Sequence, residues 1–494
     1  MESNALLKFI PKEVRELFLI KIFSTYSFAI LYSSLILYMT KDVGLSNQFA
    51  TGVTGVFISL NFLLHFLGGY AGGKLISNRG LLLLGLIMEF VGVSILSSYL
   101  FIGLGIFLTG SGLYVTSVNA IMLQRFNPND NRREKASFWL YSGMNLGFFI
   151  GHTISGYAHV YSNYQWLFFT AVMATIISLF LIGLNWNKFE DRTTELSAIS
   201  KQKQRRRFLS SLSLIPVILI SVICALIYHV QSSKLIMFWG SLIFCSILIL
   251  AFRQPNEADK KKILAFIIMV TAALVFWSLF FIGPMGMTLF IKQYVNKNIM
   301  GVTIPPQWFH NINTGIIVLG GPLLANWFNK KRENGADLSF PFLFSLALLS
   351  VGTAYIVLTL GIFISGENNM VSMLWVAISY VLQTIGELFL SPVGVAMIGK
   401  LAPQGKQGLL LGIWAMVTGI ASMISKFLSQ MMVMPNSNAT HFSDIQSFSH
   451  VFSMIGWIAV FSGLLLFILV PFVKRLMGDE EGISSNLKGK LVDI

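Results

Sequence analysis

Charged residues are what this sequence has least of: they make up 11% of its 494 residues, while 55% are hydrophobic. A soluble domain needs roughly a quarter charged residues to cover its surface. A water-soluble globule is therefore excluded, and most of the surface must face lipid. Cysteine is nearly absent. Cys224 and Cys245 lie in consecutive apolar stretches without metal-ligand spacing, and read as small packing residues. No cluster of metal-ligand side chains and no nucleophile–base motif occurs, so the chain is expected to be no enzyme and to carry no cofactor or metal. The N-terminus does not read as a signal peptide either, and the first helix is expected to be retained. Lys21 interrupts the first apolar run, and no small-x-small site follows a short apolar core.

Acidic residues are outnumbered, 21 against 35 Lys and Arg, for a formal charge of +14. The cations are scattered between apolar stretches and form no single patch, which excludes a nucleic-acid partner. What the chain has in abundance is Phe and Gly, 42 of each, and Gly lets membrane helices approach closely. A span needs about 20 mostly apolar residues. By that measure fourteen helices fall near 14–40, 48–76, 79–98, 100–125, 135–158, 165–186, 209–230, 233–253, 260–292, 307–329, 340–365, 370–400, 405–434 and 446–476. With the N-terminus inside and the chain alternating, the inner segments hold 29 of the 35 cations and the outer loops four, Lys41, Lys234, Lys292 and Lys297. Lys21 and Lys426 fall within helices. Basic residues stay on the cytoplasmic side, so both termini are expected there.

The segment 187–208, with its KQKQRRR run, is the one long polar linker and reads as a solvated cytoplasmic hinge near anionic headgroups. A faint repeat spans the chain. Gly68-Gly69 precede Lys74 and Arg79, and Gly320-Gly321 precede Lys330, Lys331 and Arg332. Two similar six-helix halves would give this pattern. The expected organisation is an N-terminal six-helix bundle (1–186), the linker (187–208), an extra helix pair (209–253), a C-terminal six-helix bundle (254–476) and a cytoplasmic tail (477–494).

Several stretches then resemble one family. Residues 379–403, SYVLQTIGELFLSPVGVAMIGKLAP, closely resemble the helix-10 signature of proton-dependent oligopeptide transporters of the major facilitator superfamily. SFWLYSGMNLGFFIG at 137–151 resembles their helix-5 motif, with Tyr141, Gly143, Asn145 and Gly147 in register. Residues 276–290 and 304–328 resemble helices 7 and 8, and GIWAM around Trp414 resembles helix 11. The extra helix pair is typical of bacterial members. The resemblance implies an all-α membrane fold of that superfamily, a monomer in the bacterial inner membrane, and a carrier of small peptides.

The departures from the family are as informative. Its helix-1 ExxER motif falls here on Lys21, Ser24 and Thr25. The helix-4 lysine that pairs with those carboxylates falls on Val115, a helix-7 acid on Phe281, a helix-1 arginine on Tyr32, and a loop aspartate on Gly73. Removing one partner of a buried ion pair strands the other, at about 3–5 kcal/mol. Losing the helix-1 carboxylates and the helix-4 lysine together is therefore coherent.

Only two carboxylates, Glu89 and Glu387, lie inside predicted spans. A charge at membrane depth is costly and usually functional. The resemblance implies that Glu387 binds the amino terminus of a peptide, aided by Asn145 and Asn313. An ammonium offers three donors, which a carboxylate and two amide oxygens can accept. Tyr26, Phe28, Tyr141, Trp277 and Trp414 match or lie near cavity-lining positions, and Ser391 and Tyr32 complete the expected substrate-facing set. Pro392 is placed to bend helix 10. Two readings stay open for Lys21: its ammonium reaches the cytoplasmic headgroups, or it faces the cavity and binds an anionic group of the substrate. Lys426 is expected to snorkel outward. Glu89 reads as a paired structural acid, His65 and His152 as packing residues, and His310 as an element of a gate. The sequon Asn438-Ala439-Thr440 lies in the last outer loop.

The function that follows is a secondary transporter of di- or tripeptides, or related amine-bearing compounds, working by alternating access with H+ as the candidate coupling ion. Glu387 is the candidate proton site. The acid end of the substrate is expected to be modified, absent or bound differently. Two alternatives remain at this stage: a uniporter or exporter of another small metabolite, and a membrane receptor that has lost transport.

Overall fold

The computed structural model describes residues 12–127, 130, 132–192, 194–254, 256–333, 338–366, 370–402, 407–433 and 441–478. The sequon lies outside them. In chain order the helices are α1 (Lys12–Lys41), α2 (Asn47–Ala71), α3 (Asn78–Ile95), α4 (Leu100–Leu123), α5 (Arg132–Val160), α6 (Tyr164–Leu184), α7 (Lys201–Leu212), α8 (Leu214–Ile227), α9 (His229–Phe252) and α10 (Glu257–Phe280). After a π-helical turn (Gly283–Met287) come α11 (Thr288–Tyr294), α12 (Pro306–Glu333), α13 (Phe340–Ser365), α14 (Met373–Leu401), α15 (Gln407–Met432) and α16 (His441–Met477). Eleven stretches of the described residues are long and apolar enough to cross a membrane. The other predicted spans, near 135–158, 233–253 and 307–329, coincide with α5, α9 and α12, so each of the fourteen meets a helix.

Side-chain oxygens start many of these helices, because the first backbone N–H groups lack partners inside the helix. Ser46 accepts from Phe49 N, Ser77 from Gly80 N, Asn163 from Trp166 N and Asn256 from Ala258 N. The π turn follows from Pro284, which has no N–H to donate and displaces the regular ladder. Thr288 Oγ1 donates to the Gly283 carbonyl at 2.8 Å, and Ser429 Oγ accepts from Gly286 N at 3.2 Å.

The chain divides into two units: Met1–Ser233 with Asn298–Thr314, and Lys234–Lys297 with Gly315–Ile494. In the first, α3 and α4 touch backbone to backbone. A Cβ on Gly92 would lie 2.4 Å from Phe107 N, and one on Gly110 2.4 Å from the Gly85 carbonyl oxygen. Only glycine permits that approach. The first residues of α12 belong to this unit and pack on α5: Trp308 Nε1 donates to the Thr153 carbonyl at 3.0 Å, and Asn311 Nδ2 to Thr153 Oγ1 at 2.8 Å.

The linker is not the solvated hinge expected from its composition. Its first half is folded onto the first unit, with Phe189 and Leu196 buried. The Asp191 carboxylate accepts from Asn78 N at 2.8 Å and Asn78 Nδ2 at 2.9 Å, at the start of α3, where a helix terminus favours an anion. Leu196 N donates to the Gly73 carbonyl, and Gly73 has φ +75° with Thr194 against it. A side chain there would meet Thr194, which fits the absence of the family's loop aspartate; Asp191 brings a carboxylate to the same corner. The second half of the linker, with its basic run, is the helix α7, because Lys, Gln and Arg are good helix formers.

In the second unit, α13 and α16 meet through Gly352, whose Cβ would lie 2.8 Å from the Gly456 carbonyl oxygen. An aromatic cluster of Phe290, Tyr294, Phe448 and Phe452 lies beside Tyr355, whose hydroxyl donates to the Leu279 carbonyl at 2.7 Å. Beyond α11, the Lys297 ammonium donates to the carbonyls of Ile291, Lys292 and Val295 at 2.8–3.1 Å, and burial lowers its pKa. Two expectations are corrected. Lys426 does not snorkel outward but is 1% exposed on α15, packed over the Phe427 ring. Cys224 and Cys245 do not pack between helices; both are exposed on helix surfaces.

Candidate functional site

Glu387 stands in the middle of α14, half-buried, with Gly386 and Gln383 buried on the preceding turn. The adjoining Gly386 packs tightly: a Cβ there would lie 2.9 Å from both the Ala347 carbonyl oxygen and the Phe276 ring. α14 runs on through Pro392, which removes one hydrogen bond from the helix just beyond the carboxylate. Ser391 lies one turn after Glu387, also half-buried. Trp414 of α15 covers Gly394 of α14, where a Cβ would come within 2.4 Å of the indole, and its ring lies 6.3 Å from Phe344. Its indole therefore takes part in interhelical packing within the second unit. Phe281, at the place of the family's helix-7 acid, is buried and stacks on Trp277 with ring centroids 5.7 Å apart.

The other predicted site residues belong to the first unit. Asn145 of α5 is buried, and its amide nitrogen donates to the Tyr141 carbonyl at 3.0 Å, one turn earlier. Tyr141 is 38% exposed and Asn313 of α12 half-buried. Tyr32 is drawn into an aromatic group with Phe28, Phe148, His152 and His310, at centroid distances of 6.0–6.4 Å. The two histidine rings are 5.2 Å apart. Tyr26 turns elsewhere: it is buried, and its hydroxyl donates to Thr170 Oγ1 of α6 at 2.7 Å, which ties α1 to α6.

Lys21 does not reach the headgroups. It is 6% exposed inside the first unit, where it interacts electrostatically with Glu89. Glu89 is 0% exposed, and its Oε2 accepts from the Tyr114 hydroxyl of α4 at 3.0 Å. Ser24 of α1 reaches the same hydroxyl, and His65 of α2 faces Lys21. Four helices thus converge on one polar group. Sequence reasoning singled out Lys21 and Glu89 but treated them separately, and passed over Tyr114. The available signal was Tyr114 itself, a polar ring beside Val115 in the Gly- and Ser-rich stretch of α4, next to the position of the lost lysine.

The sequence profile of the POT family matches residues 74–447. A dipeptide and tripeptide permease A of Cronobacter turicensis is 25% identical over 486 residues, covering 95% of this chain and 94% of that protein. The dipeptide and tripeptide permease A of Escherichia coli is 24% identical with the same coverage. Among solved structures, a peptide transporter POT in complex with sulfate superposes with a TM-score of 0.83 at 22% identity, covering 94% of this chain and 96% of that one. A POT family transporter in complex with 5-aminolevulinic acid gives 0.81 at 21% identity, covering 94% and 97%. The fold is thus the all-helical one of the major facilitator superfamily, and with a family match over most of its length the chain belongs to the POT family.

Proposed function

We propose that this protein is a carrier of di- and tripeptides that works by alternating access in the bacterial inner membrane, as a monomer with both termini in the cytoplasm. The observation that carries the reading is a carboxylate, Glu387, held half-buried within a membrane helix whose ladder is interrupted just beyond it by Pro392. It is supported by relatives that span 95% of this chain and are named dipeptide and tripeptide permeases.

Glu387 receives the ammonium of the peptide, since a carboxylate at this depth is stabilised by an opposite charge. Asn145 and Asn313 keep their place as amine ligands on the strength of the sequence resemblance. The acid end of the substrate is bound loosely. Lys21 interacts electrostatically with the Glu89 carboxylate instead. Protons drive the uptake, although the helix-1, helix-4 and helix-7 groups that serve coupling in the family are absent here.

Thermal unfolding of the purified protein tests the recognition, because a ligand that binds the folded state raises Tm. Dialanine and its C-terminal amide are expected to raise Tm alike, and N-acetyl-dialanine not at all. Equal stabilisation by the N-acetylated peptide would remove the amine from recognition.

A further inference from the structure

The interior of the first unit holds ionisable side chains that peptide recognition leaves without a task. Glu89 on α3 is wholly buried. One oxygen accepts from Tyr114; the other, Oε1, is buried with no hydrogen-bond partner. Lys21 on α1 acts on it from beyond ion-pair distance. On α2, His65 faces Lys21, and its Nε2 has no partner. From α4 comes Tyr114. The remaining neighbour of α3, α6, carries as its one titratable side chain Tyr164, at its far end, where the hydroxyl lies 2.6 Å from His159 Nδ1. Lys21, His65 and Tyr114 are thus the titratable and charged groups around Glu89.

An ionised carboxylate in a dry interior with one oxygen unsatisfied is costly. Two events relieve it. The carboxyl takes up a proton, or the ammonium closes onto it, which the flexible four-carbon stem of lysine allows. A metal cation is disfavoured, because the ammonium already places a positive charge beside the same oxygens. The arrangement therefore has two discrete states set by one proton.

We propose that Glu89 is a proton-binding site of the first unit, with Lys21 as the counter-charge that closes on the carboxylate when the proton leaves and withdraws when it returns. The step moves one proton from water to a carboxylate oxygen and forms one O–H bond; nothing is oxidised or reduced. Lys21 stands on α1 and Glu89 on α3, so the proton decides whether an ionic contact holds these two helices together. Tyr114, bonded to Glu89 and reached by Ser24 of α1, positions the carboxyl. The coupling role rests on the carrier reading above; proton binding does not.

The test uses the full chain in proteoliposomes, with radiolabelled dialanine as the probe. The wild type should accumulate dialanine under an inward proton gradient and not under a sodium gradient. Glu89→Gln should lose that accumulation by at least tenfold while retaining counterflow, which needs no gradient. Full gradient-driven accumulation by Glu89→Gln, or wild-type accumulation indifferent to the proton gradient, would overturn the proposal. If the wild type shows no dialanine counterflow, the carrier reading has failed instead, and infrared spectroscopy decides proton binding. A protonated-carboxyl stretch that vanishes as pH rises and is missing from Glu89→Gln supports the site; no such band refutes it. Should Glu89→Gln fail to fold, Tyr114→Phe replaces it. Its pH midpoint for accumulation, or for the infrared band, should shift from the wild-type value, and an unchanged midpoint would count against the proposal.

Discussion

The two units of the chain fill their interiors differently. The first gathers Lys21, Glu89, Tyr114, His152 and His310, all buried, with the half-buried His65 beside them. The second is packed mainly with apolar side chains, among them two aromatic groups, Trp277, Phe280 and Phe281 in one and Phe290, Phe448 and Phe452 in the other. Its described ionisable residues at membrane depth include Glu387 and Lys426. Phe281 is part of this packing, stacked on Trp277 with centroids 5.7 Å apart. The difference teaches that ionisable groups withdrawn from water gather where a hydrogen-bonding group and an opposite charge can meet them, as Tyr114 and Lys21 meet Glu89. Here α1 carries the buried Lys21 and α3 the buried carboxylate that acts on it.

That comparison breaks most sharply at Glu89. Glu89→Ala should destabilise the fold by about 3 kcal/mol, because it leaves the buried Tyr114 hydroxyl without its acceptor and removes the opposite charge that acts on Lys21. The double variant Lys21→Met with Glu89→Ala should cost less than the sum of the two singles, which thermal or denaturant unfolding of all four proteins would show. Additive costs would mean that the two residues do not interact. In the second unit, Glu387→Gln should leave stability nearly unchanged and weaken dialanine binding by about 2–4 kcal/mol, roughly thirty- to a thousandfold, measured by calorimetry. Gly92→Ala should cost about 1–3 kcal/mol by forcing α3 away from α4, read from Tm. The smallest effect is expected for Tyr26→Phe, about 1 kcal/mol from the lost bond to Thr170 with dialanine affinity unchanged. A large loss of affinity there would return Tyr26 to the substrate site.

Much of the fold was legible because the bilayer imposes simple rules on sequence. Apolar runs of sufficient length place the fourteen expected spans but not α7, and α5, α9 and α12 stand where they were expected despite their polar residues. The linker was misread because its composition resembles that of a free hinge. What docks it is a set of contacts between distant residues, among them Asp191 at the start of α3 and Leu196 N on the Gly73 carbonyl, and such pairings leave no local pattern. Lys426 was misread for the same reason: a lysine on an apolar helix carries no mark of which face it occupies. At the candidate site, Lys21, Glu89 and Glu387 were visible as charges in apolar runs, which is a strong signal. The hydroxyl of Tyr114 was not, because a tyrosine in a membrane helix is common and only its neighbour across the bundle gives it a role.

Counterflow of radiolabelled dialanine in proteoliposomes, comparing the wild type with Glu387→Gln, tests the peptide-carrier claim most directly, because it requires substrate recognition on both sides and no driving gradient. Rapid exchange by the wild type and none above empty liposomes by Glu387→Gln is the predicted result. Exchange at equal rates by the two proteins would contradict it.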